Sequence, residues 1–219
     1  MRELVDLSHP LGDGAEAYPG LPAMRVHALL EREASRERYG GQAEFLLAGF
    51  EIAGNTGTYL DAPFHRFADG ADLAAVPLAS CAALEGICVD VDVASGRAIS
   101  LGAREDAAFA GRAVLFRSGW EARWGTDPYW EDAPFLPVET VERLVEAGAR
   151  LVGVDFGNVD DTADLARPAH TGLLAAGIPI VENLASLGAL PADDFVFTAA
   201  PLAIVGGATF PVRAFAELR

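Results

Sequence analysis

Residues 54–65 read GNTGTYLDAPFH and hold Asp61 and His65, two potential metal ligands or proton-transfer groups, four positions apart. The glycines and Pro63 of this segment favour unusual backbone paths over core packing. An apolar run at 45–52 precedes the segment and predicts a strand. The pattern therefore predicts a strand that leads into a shaped loop carrying functional groups. An ordinary Asn/Gly/Thr turn with a surface Asp is the alternative that this segment alone leaves open.

The composition describes a globular protein with a strong acidic bias. The chain has 219 residues, 51% of them hydrophobic and 22% charged, which is enough for a substantial core. Its formal net charge is −16, and every basic residue is an Arg. Because phosphate binding needs a basic face, this acidity argues against nucleic acid and against an anionic membrane surface as partners.

The cysteines and the hydropathy of the sequence indicate the cellular compartment that we expect. Cys81 and Cys88 lie in an apolar region without metal-site or redox spacing, so we expect two buried small hydrophobic side chains and no disulfide framework. The sequence shows no apolar run long enough to span a bilayer and no pattern of a secretion signal. We therefore expect cytoplasmic residence.

Alternating or β-branched apolar runs predict strands along the whole chain. The predicted strands are a short one that ends near His9, followed by 25–30, 86–93, 113–117, 150–155, 178–182, 195–199, 203–205 and 210–214. Apolar residues at helical spacing predict a helix at 138–147 that ends at Gly148, and a shorter helix at 170–176.

The segments between these elements read as loops. We interpret the charged run 31–38 as a solvated connection and the aromatic stretch 120–137 as an ordered loop. The helix at 138–147 is followed by a strand, which indicates an α/β fold. No linker or repeat divides the sequence, so we expect one domain, 1–219.

Four ionisable residues stand out by their positions: Asp61, His65, His170 and Glu182. Glu182 ends an apolar strand and His170 lies near a predicted helix start, where side chains can point into a site. Asp, His and Glu together form a mixed oxygen and nitrogen set that suits Zn²⁺ or Mn²⁺. Local hydrogen bonding by each His is the alternative, and spacing alone does not join residues more than a hundred positions apart.

Several stretches together carry a family resemblance. They are VDLSHPL (5–11), AYPG (17–20), NTGTYLDAPFH (55–65), LFRSGW (115–120), LVGVD (151–155), HTGLL (170–174) and GIPIVENL (177–184). In this order they resemble the cyclase-like family of metal-dependent hydrolases, which includes bacterial kynurenine formamidase and isatin hydrolase. The resemblance implies a single-domain swivelling β/β/α-type fold with mixed sheets and packed helices. It also implies a homodimer or homotetramer, for which 120–135 is our candidate contact.

The resemblance assigns roles to individual residues. Asp61, His170 and Glu182 match positions that bind metal, and His65 matches the catalytic histidine that shuttles a proton. Tyr18 matches an aromatic position that lines the substrate pocket.

Two departures from the family pattern lie in the central segment. Asn55 and Tyr59 stand where the family has two histidines that bind the first of two metals. An amide oxygen is a weak ligand, and a phenol ligates well only when deprotonated, which is costly from a reference pKa of about 10. We therefore expect one divalent ion, Zn or Mn, and we expect Asn55 and Tyr59 to donate hydrogen bonds to the substrate.

Together with these residues, the resemblance implies a metal-dependent hydrolase that cleaves the C–N bond of a small amide or cyclic amide. A catalytically silent homologue that binds a small molecule or another subunit is the alternative, as is a dehydratase or isomerase that uses the same base. The pair Asp160–Asp161 reads as a solvated loop or helix cap. Ser118 lacks the context of a nucleophile elbow, which argues against a serine hydrolase.

Overall fold

The computed structural model describes residues 3–219, and within them the chain forms eleven strands, three α-helices and several short 3-10 turns. The strands are β1 (Glu3–Asp6), β2 (Arg25–Leu30), β3 (Leu47–Glu51), β4 (Tyr59–Asp61), β5 (Leu84–Asp90), β6 (Ala113–Arg117), β7 (Leu151–Val154), β8 (Ile180–Glu182), β9 (Phe195–Thr198), β10 (Thr209–Pro211) and β11 (Phe215–Leu218). The helices are α1 (Arg32–Arg38), α2 (Val138–Glu146) and α3 (Pro168–Ala175). Among the described residues, none of the helices combines the length and apolar character that crossing a membrane requires.

Nine strands form one mixed sheet in the order β1-β11-β9-β5-β6-β7-β8-β4-β10. Strands β5, β6, β7 and β8 run parallel, and β4 pairs antiparallel with β8 on one side and with β10 on the other. The hairpin of β2 and β3 forms a separate two-stranded sheet. This arrangement confirms the predicted mixed α/β single-domain fold.

The central strands are apolar on both faces because each face carries a core. Along β6, Val114 and Phe116 belong to the core that contains α2 and α3, whereas Leu115 belongs to the core on the opposite face. Strand β8 follows the same alternation, with Ile180 in the first core and Val181 in the second. Continuous apolar runs of this kind are typical of parallel strands covered on both sides.

Helices α2 and α3 pack on the first face and fix one wall of the site. Val141 and Leu144 of α2 are buried, and Gly148, with φ of 75°, ends the helix at the predicted place. Gly172 of α3 approaches α2 closely, since a Cβ there would lie 2.6 Å from Cγ1 of Val141. Glycine at this position therefore allows α3 to lie against α2.

The structure corrects two predictions about the connections. The charged run 31–38 contains helix α1, because it is composed of good helix formers and its Ser35 is buried. The Ser35 hydroxyl oxygen accepts a hydrogen bond from the backbone N–H of Phe45 at 2.9 Å. The run 203–205 is a turn rather than a strand, with Ile204 N–H bonded to the Leu202 carbonyl at 2.9 Å.

The last strands also differ from the prediction. In place of one strand at 210–214, the chain forms β10 and then β11, which pairs with β1 and β9. The predicted loop around Asp61 is likewise in part a strand, because β4 includes this residue and pairs with both β8 and β10.

Exposed apolar side chains concentrate on the hairpin of β2 and β3. Leu29 is 68% exposed and Phe50 is 62% exposed, and both lie on these two strands. In the aromatic loop, by contrast, Trp120 and Tyr129 are buried inside the subunit. Cys81 and Cys88 are buried and unbridged, as predicted.

Candidate metal centre and cavity

Three potential metal ligands that lie far apart in the sequence meet at one place. Asp61 comes from β4, His170 from α3 and Glu182 from β8, and all three side chains are buried. One candidate ligand atom from each lies within 4.8 Å of the others. Among the described residues this is the one group of three or more His, Cys, Asp and Glu side chains with such spacing.

Strand register places the two carboxylates on one side of the sheet. In the antiparallel pair of β4 and β8, Tyr59 lies opposite Glu182 and Asp61 lies opposite Ile180. Directly opposed residues share a face, and so do residues two positions apart on a strand. The side chains of Tyr59, Asp61 and Glu182 therefore all point toward the helices.

His170 is oriented by a buried carboxylate at the start of α3. Asp160 accepts hydrogen bonds from the backbone N–H groups of Ala169 at 2.6 Å and His170 at 3.2 Å, which makes it a cap as predicted. Its Oδ2 also lies 2.6 Å from Nδ1 of the His170 ring. The opposite ring nitrogen, Nε2, is thereby directed toward Asp61, 3.6 Å away, and Glu182, 3.7 Å away. Contact between a carboxylate and the far nitrogen of a ligating His is a usual feature of metal sites.

Electrostatics in this cluster favour positive charge. Burial alone lowers the pKa of His170, but the hydrogen bond with Asp160 and the charges of Asp61 and Glu182 outweigh it and raise the pKa to about 10. Burial, with the charge of Asp61, raises the pKa of Glu182 to about 8 against the opposing effect of His170. Both groups therefore hold protons near neutral pH, and a bound metal ion would take the place of those protons.

Both oxygens of Glu182 have donors. Oε1 accepts a hydrogen bond from the backbone N–H of Val159 at 2.7 Å, and Oε2 accepts one from the hydroxyl of Tyr59. Tyr59 is fully buried, and burial together with Glu182 and Asp61 raises its pKa well above 10. The phenol therefore keeps its proton and donates a hydrogen bond to the carboxylate.

Asp61 shows that the site fits a metal ion. Both of its carboxylate oxygens are buried, and neither has a hydrogen-bond partner among the described residues. A buried carboxylate without a donor is costly unless a cation is bound beside it. The donor set of two carboxylates and one imidazole suits a divalent ion of the Zn²⁺ or Mn²⁺ kind.

The cluster opens into a cavity of about 280 Å³. The cavity is lined by Tyr18, Leu21, Asn55, Tyr59, His65, Arg66, Asn158, Arg167, His170 and Glu182. His65 lies in the 3-10 turn Pro63–His65, directly after β4, and its side chain is exposed. Its ring centroid is 5.7 Å from that of His170, so it faces the cavity beside the candidate ligands.

Tyr18 and Asn55 form the outer wall of the cavity. The Tyr18 ring packs edge-on against Trp130, with centroids 5.5 Å apart, and its backbone N–H donates to the Asn55 carbonyl at 2.9 Å. The Asn55 side-chain oxygen accepts a hydrogen bond from the Thr209 hydroxyl at 3.1 Å. The Asn55 side chain also forms a hydrogen bond with the Tyr59 hydroxyl, which lowers the pKa of Tyr59 against the larger effect of burial.

Two arginines of the cavity were not singled out from the sequence. Arg66 follows His65 directly, and Arg167 precedes α3. Arg167 has a left-handed backbone, with φ of 50°, although Pro168 follows it. Such a conformation costs a residue with a side chain about 1–3 kcal/mol and is found most often at functional sites. The Arg–Pro pair before the helix was the available signal in the sequence.

Ser118 lies outside this cavity and belongs to a structural turn. Its hydroxyl donates to Asp155, which also accepts hydrogen bonds from the backbone N–H groups of Ser118 at 2.9 Å and Gly119 at 2.7 Å. Burial raises the pKa of Asp155 to about 6, although these hydrogen bonds oppose the rise. The contact with a carboxylate in place of an imidazole agrees with the prediction that Ser118 is not a nucleophile.

Comparisons with known proteins find relatives that align over nearly the whole chain. The sequence is 32% identical over 216 residues to the kynurenine formamidase of Salinibacter ruber, covering 96% of this chain and 95% of the relative. It is 28% identical to the kynurenine formamidase of Sphingopyxis alaskensis, covering 98% of this chain and 97% of the relative. The structure superposes on isatin hydrolase A from Ralstonia solanacearum with a TM-score of 0.82 and 25% identity, covering 100% of this chain and 92% of that one.

A family model gives the assignment. The model of the family described as "Cyclase: Putative cyclase" matches residues 5–161, which is most of the chain. This match, the relatives that align over nearly their whole length and the buried Asp61, His170 and Glu182 cluster all point the same way. The chain belongs to the cyclase family.

Proposed function

We propose that this protein is a metal-dependent hydrolase that cleaves the C–N bond of a small open-chain or cyclic amide. The observation that carries the proposal is the buried cluster of Asp61, His170 and Glu182 at the base of a cavity that also contains His65. The named activities of the relatives, kynurenine formamidase and isatin hydrolase, support the choice of an amide.

We further propose one divalent ion, Zn or Mn, per chain. Asp61, His170 and Glu182 would hold it, and when bound it would supply Lewis-acid polarisation of the amide carbonyl and a lowered pKa of water. The count of one is supported by Tyr59 and Asn55. The phenol of Tyr59 is committed to Glu182, and Asn55 offers no imidazole.

His65 is the proposed proton carrier. It lies in the cavity beside the ligand cluster but is exposed. The backbone N–H of His65 donates to the Ala62 carbonyl at 2.8 Å, and this 3-10 turn holds the residue four positions after Asp61. In the proposed reaction its imidazole accepts a proton from the attacking water and delivers it to the leaving nitrogen. The amide nitrogen of Asn55 would donate to the substrate. Tyr59 would hold Glu182 in place, and Tyr18 would form an apolar wall.

Metal content and turnover together test this function. Elemental analysis of the purified protein should find about one divalent ion per chain, because the three ligands form a single metal site. Formanilide, an open-chain aryl amide, and isatin, a cyclic one, serve as probe substrates. His65→Ala should keep the metal and lower turnover by about 10²–10⁴-fold, because it removes only proton transfer.

The ligand variant separates metal binding from proton transfer. Asp61→Asn should lose both the metal and turnover, whereas Asp69→Asn, a matched change at an exposed carboxylate eight positions away, should keep both. Full turnover by His65→Ala would contradict the assigned role. Absence of metal after incubation with Mn²⁺ and Zn²⁺ would overturn the hydrolase proposal as a whole.

We also propose that the chain assembles as a homodimer or homotetramer. The hairpin of β2 and β3 supports this, because it exposes large apolar side chains that include Leu29 and Phe50. Exposed apolar patches on small proteins often mark contacts with other chains. None of the large exposed apolar side chains among residues 3–219 lies in 120–135, so the hairpin is the better-supported contact.

A further inference from the structure

The cavity that contains the ligand cluster also contains two guanidinium groups. Arg66 and Arg167 both line it, together with His65 and His170. The chain as a whole carries a formal net charge of −16. Two positively charged side chains at one cavity of such an acidic protein indicate a local preference for an anionic ligand.

The two arginines are held on one lip of the cavity by the first turn of α3. Nε of Arg66 donates to the Thr171 hydroxyl at 3.1 Å, and the Thr171 backbone N–H donates to the Arg167 carbonyl at 3.0 Å. Thr171 thus connects both residues, although they lie 101 positions apart in the sequence. The Arg66 bond uses Nε and leaves both terminal nitrogens of that guanidinium free to bind something else.

Arg167 has an unused donor. Its Nη1 is buried and has no hydrogen-bond partner among the described residues. Within the same residues, neither Arg167 nor Arg66 forms an ion pair, whereas Arg97 in the neighbouring cavity pairs with Asp161 at 3.3 Å. The left-handed backbone of Arg167 holds the side chain in this place at a conformational cost. A buried donor without a partner is the feature that a bound acceptor would satisfy.

We propose that Arg167, assisted by Arg66, binds a carboxylate group of the substrate, so that the enzyme acts on small amides that also carry a carboxylate. This inference rests on the proposed amide hydrolysis, because it places the reacting amide at the Asp61, His170 and Glu182 cluster. Guanidinium groups bind carboxylates through paired hydrogen bonds. The two arginines lie at the lip of the cavity, and the proposed metal ligands lie at its base.

A matched pair of probes tests the inference. N-formylphenylalanine and N-formylphenylalaninamide contain the same formamide and differ in whether the second group is a carboxylate or a neutral amide. Wild-type protein should show a kcat/KM about tenfold or more higher for the free acid, the factor expected for a charge-assisted hydrogen bond. Arg167→Gln should remove most of this preference and leave kcat/KM for the neutral amide within about twofold.

The controls separate recognition from folding and from charge. Arg66→Gln should lower the preference for the free acid to a smaller extent, since Arg66 is more exposed than Arg167. Arg104→Gln removes the same charge from an exposed arginine outside the cavity and should change neither probe. An equal loss on both probes in Arg167→Gln would show a structural role and overturn the inference.

Binding distinguishes a failure of this inference from a failure of the proposed function. If wild-type protein hydrolyses neither probe, calorimetric titration of both probes into wild-type and Arg167→Gln protein takes the place of kinetics. Tighter binding of the free acid that depends on Arg167 supports carboxylate recognition even without turnover. Equal binding of the two probes to wild-type protein, or no binding of either, overturns it.

Discussion

The hydroxyl of Tyr59 donates a hydrogen bond to Oε2 of Glu182, across the antiparallel pair of β4 and β8. The two residues lie directly opposite each other and are both buried. Oε2 of the carboxylate is thereby occupied by a side-chain donor, whereas Oε1 accepts a backbone hydrogen bond from Val159. Oε1 also lies 3.7 Å from Nε2 of His170, so it is the oxygen that would face the proposed ion.

Restoring the two histidines of the family pattern should add a second metal ion. We expect the double variant Asn55→His/Tyr59→His to bind about two divalent ions per chain in place of about one, because two imidazoles would then join Glu182 as ligands. Elemental analysis after dialysis measures the count. Tyr59→Phe is the matched control, since it removes the hydroxyl without adding a ligand, and it should still bind one ion. An unchanged count in the double variant would contradict the idea that Asn55 and Tyr59 limit the site to one metal.

Asp160 should control metal affinity through His170. Asp160→Asn weakens the contact with Nδ1 of His170, and we expect the affinity for Zn²⁺ to fall about 10–100-fold, as is usual when the partner of a ligating His is changed. Competition with a chromogenic chelator measures the change. The matched control is Asp161→Asn, which alters the adjacent carboxylate and its ion pair with Arg97. If both variants bind Zn²⁺ equally, Asp160 serves only as a helix cap.

Asp155 should make stability depend on pH. Its folded pKa of about 6 lies above the 3.8 of an unperturbed Asp, so the unfolded chain loses this proton first as pH rises. The contribution of Asp155 to stability therefore falls between about pH 4 and pH 6, by about 3 kcal/mol, and stays constant above that interval.

The difference between wild type and Asp155→Asn isolates this effect. Urea unfolding at several pH values should show the stability of wild type falling relative to the variant from pH 4 to pH 6. Asp92→Asn is the control, because the hydrogen bond from the Ser95 hydroxyl lowers the pKa of Asp92 below 3.8. Its difference curve should be flat over the same interval, and a flat curve for Asp155→Asn would contradict the prediction.

The hairpin of β2 and β3 should decide the oligomeric state. Phe50→Glu places a charge on a side chain that is 62% exposed in the single chain, so it should harm the fold little but disrupt an apolar contact between chains. Sedimentation velocity should show a homo-oligomer for wild type and a monomer for the variant. Glu51→Gln, at the adjacent exposed position of β3, should keep the assembly. Identical sedimentation of wild type and Phe50→Glu would place the contact elsewhere.

Much of the fold follows from local patterns in the sequence. The strand at 25–30 and the strand at 113–117 have the predicted bounds, because each is a short β-branched or apolar run between turn residues. Helix α2 was equally clear from its spacing and from Gly148. The missed helix α1 has no apolar stripe to reveal it, since most of its side chains are charged and exposed.

The site could not be derived from the same patterns. Asp61 and Glu182 meet because β4 pairs with β8 across more than a hundred intervening residues, and periodicity carries no information about such pairing. The resemblance to a family supplied that link. The sequence identified Asp160 only as a loop or cap residue and did not single out Arg167. Their further roles depend on a hydrogen bond to the His170 ring and on an unused donor, which exist only in the folded chain.

The pairing of β4 with β8 also makes the centre sensitive to insertions and deletions in a particular way. Each of these strands has only three residues, and Asp61 and Glu182 are the last residue of β4 and of β8 respectively. Adding or removing a single residue within either strand would turn its carboxylate to the opposite face of the sheet. The loops between the two strands can change length freely without that effect. Length variation in relatives that keep this centre should therefore fall in the connecting loops and spare 59–61 and 180–182.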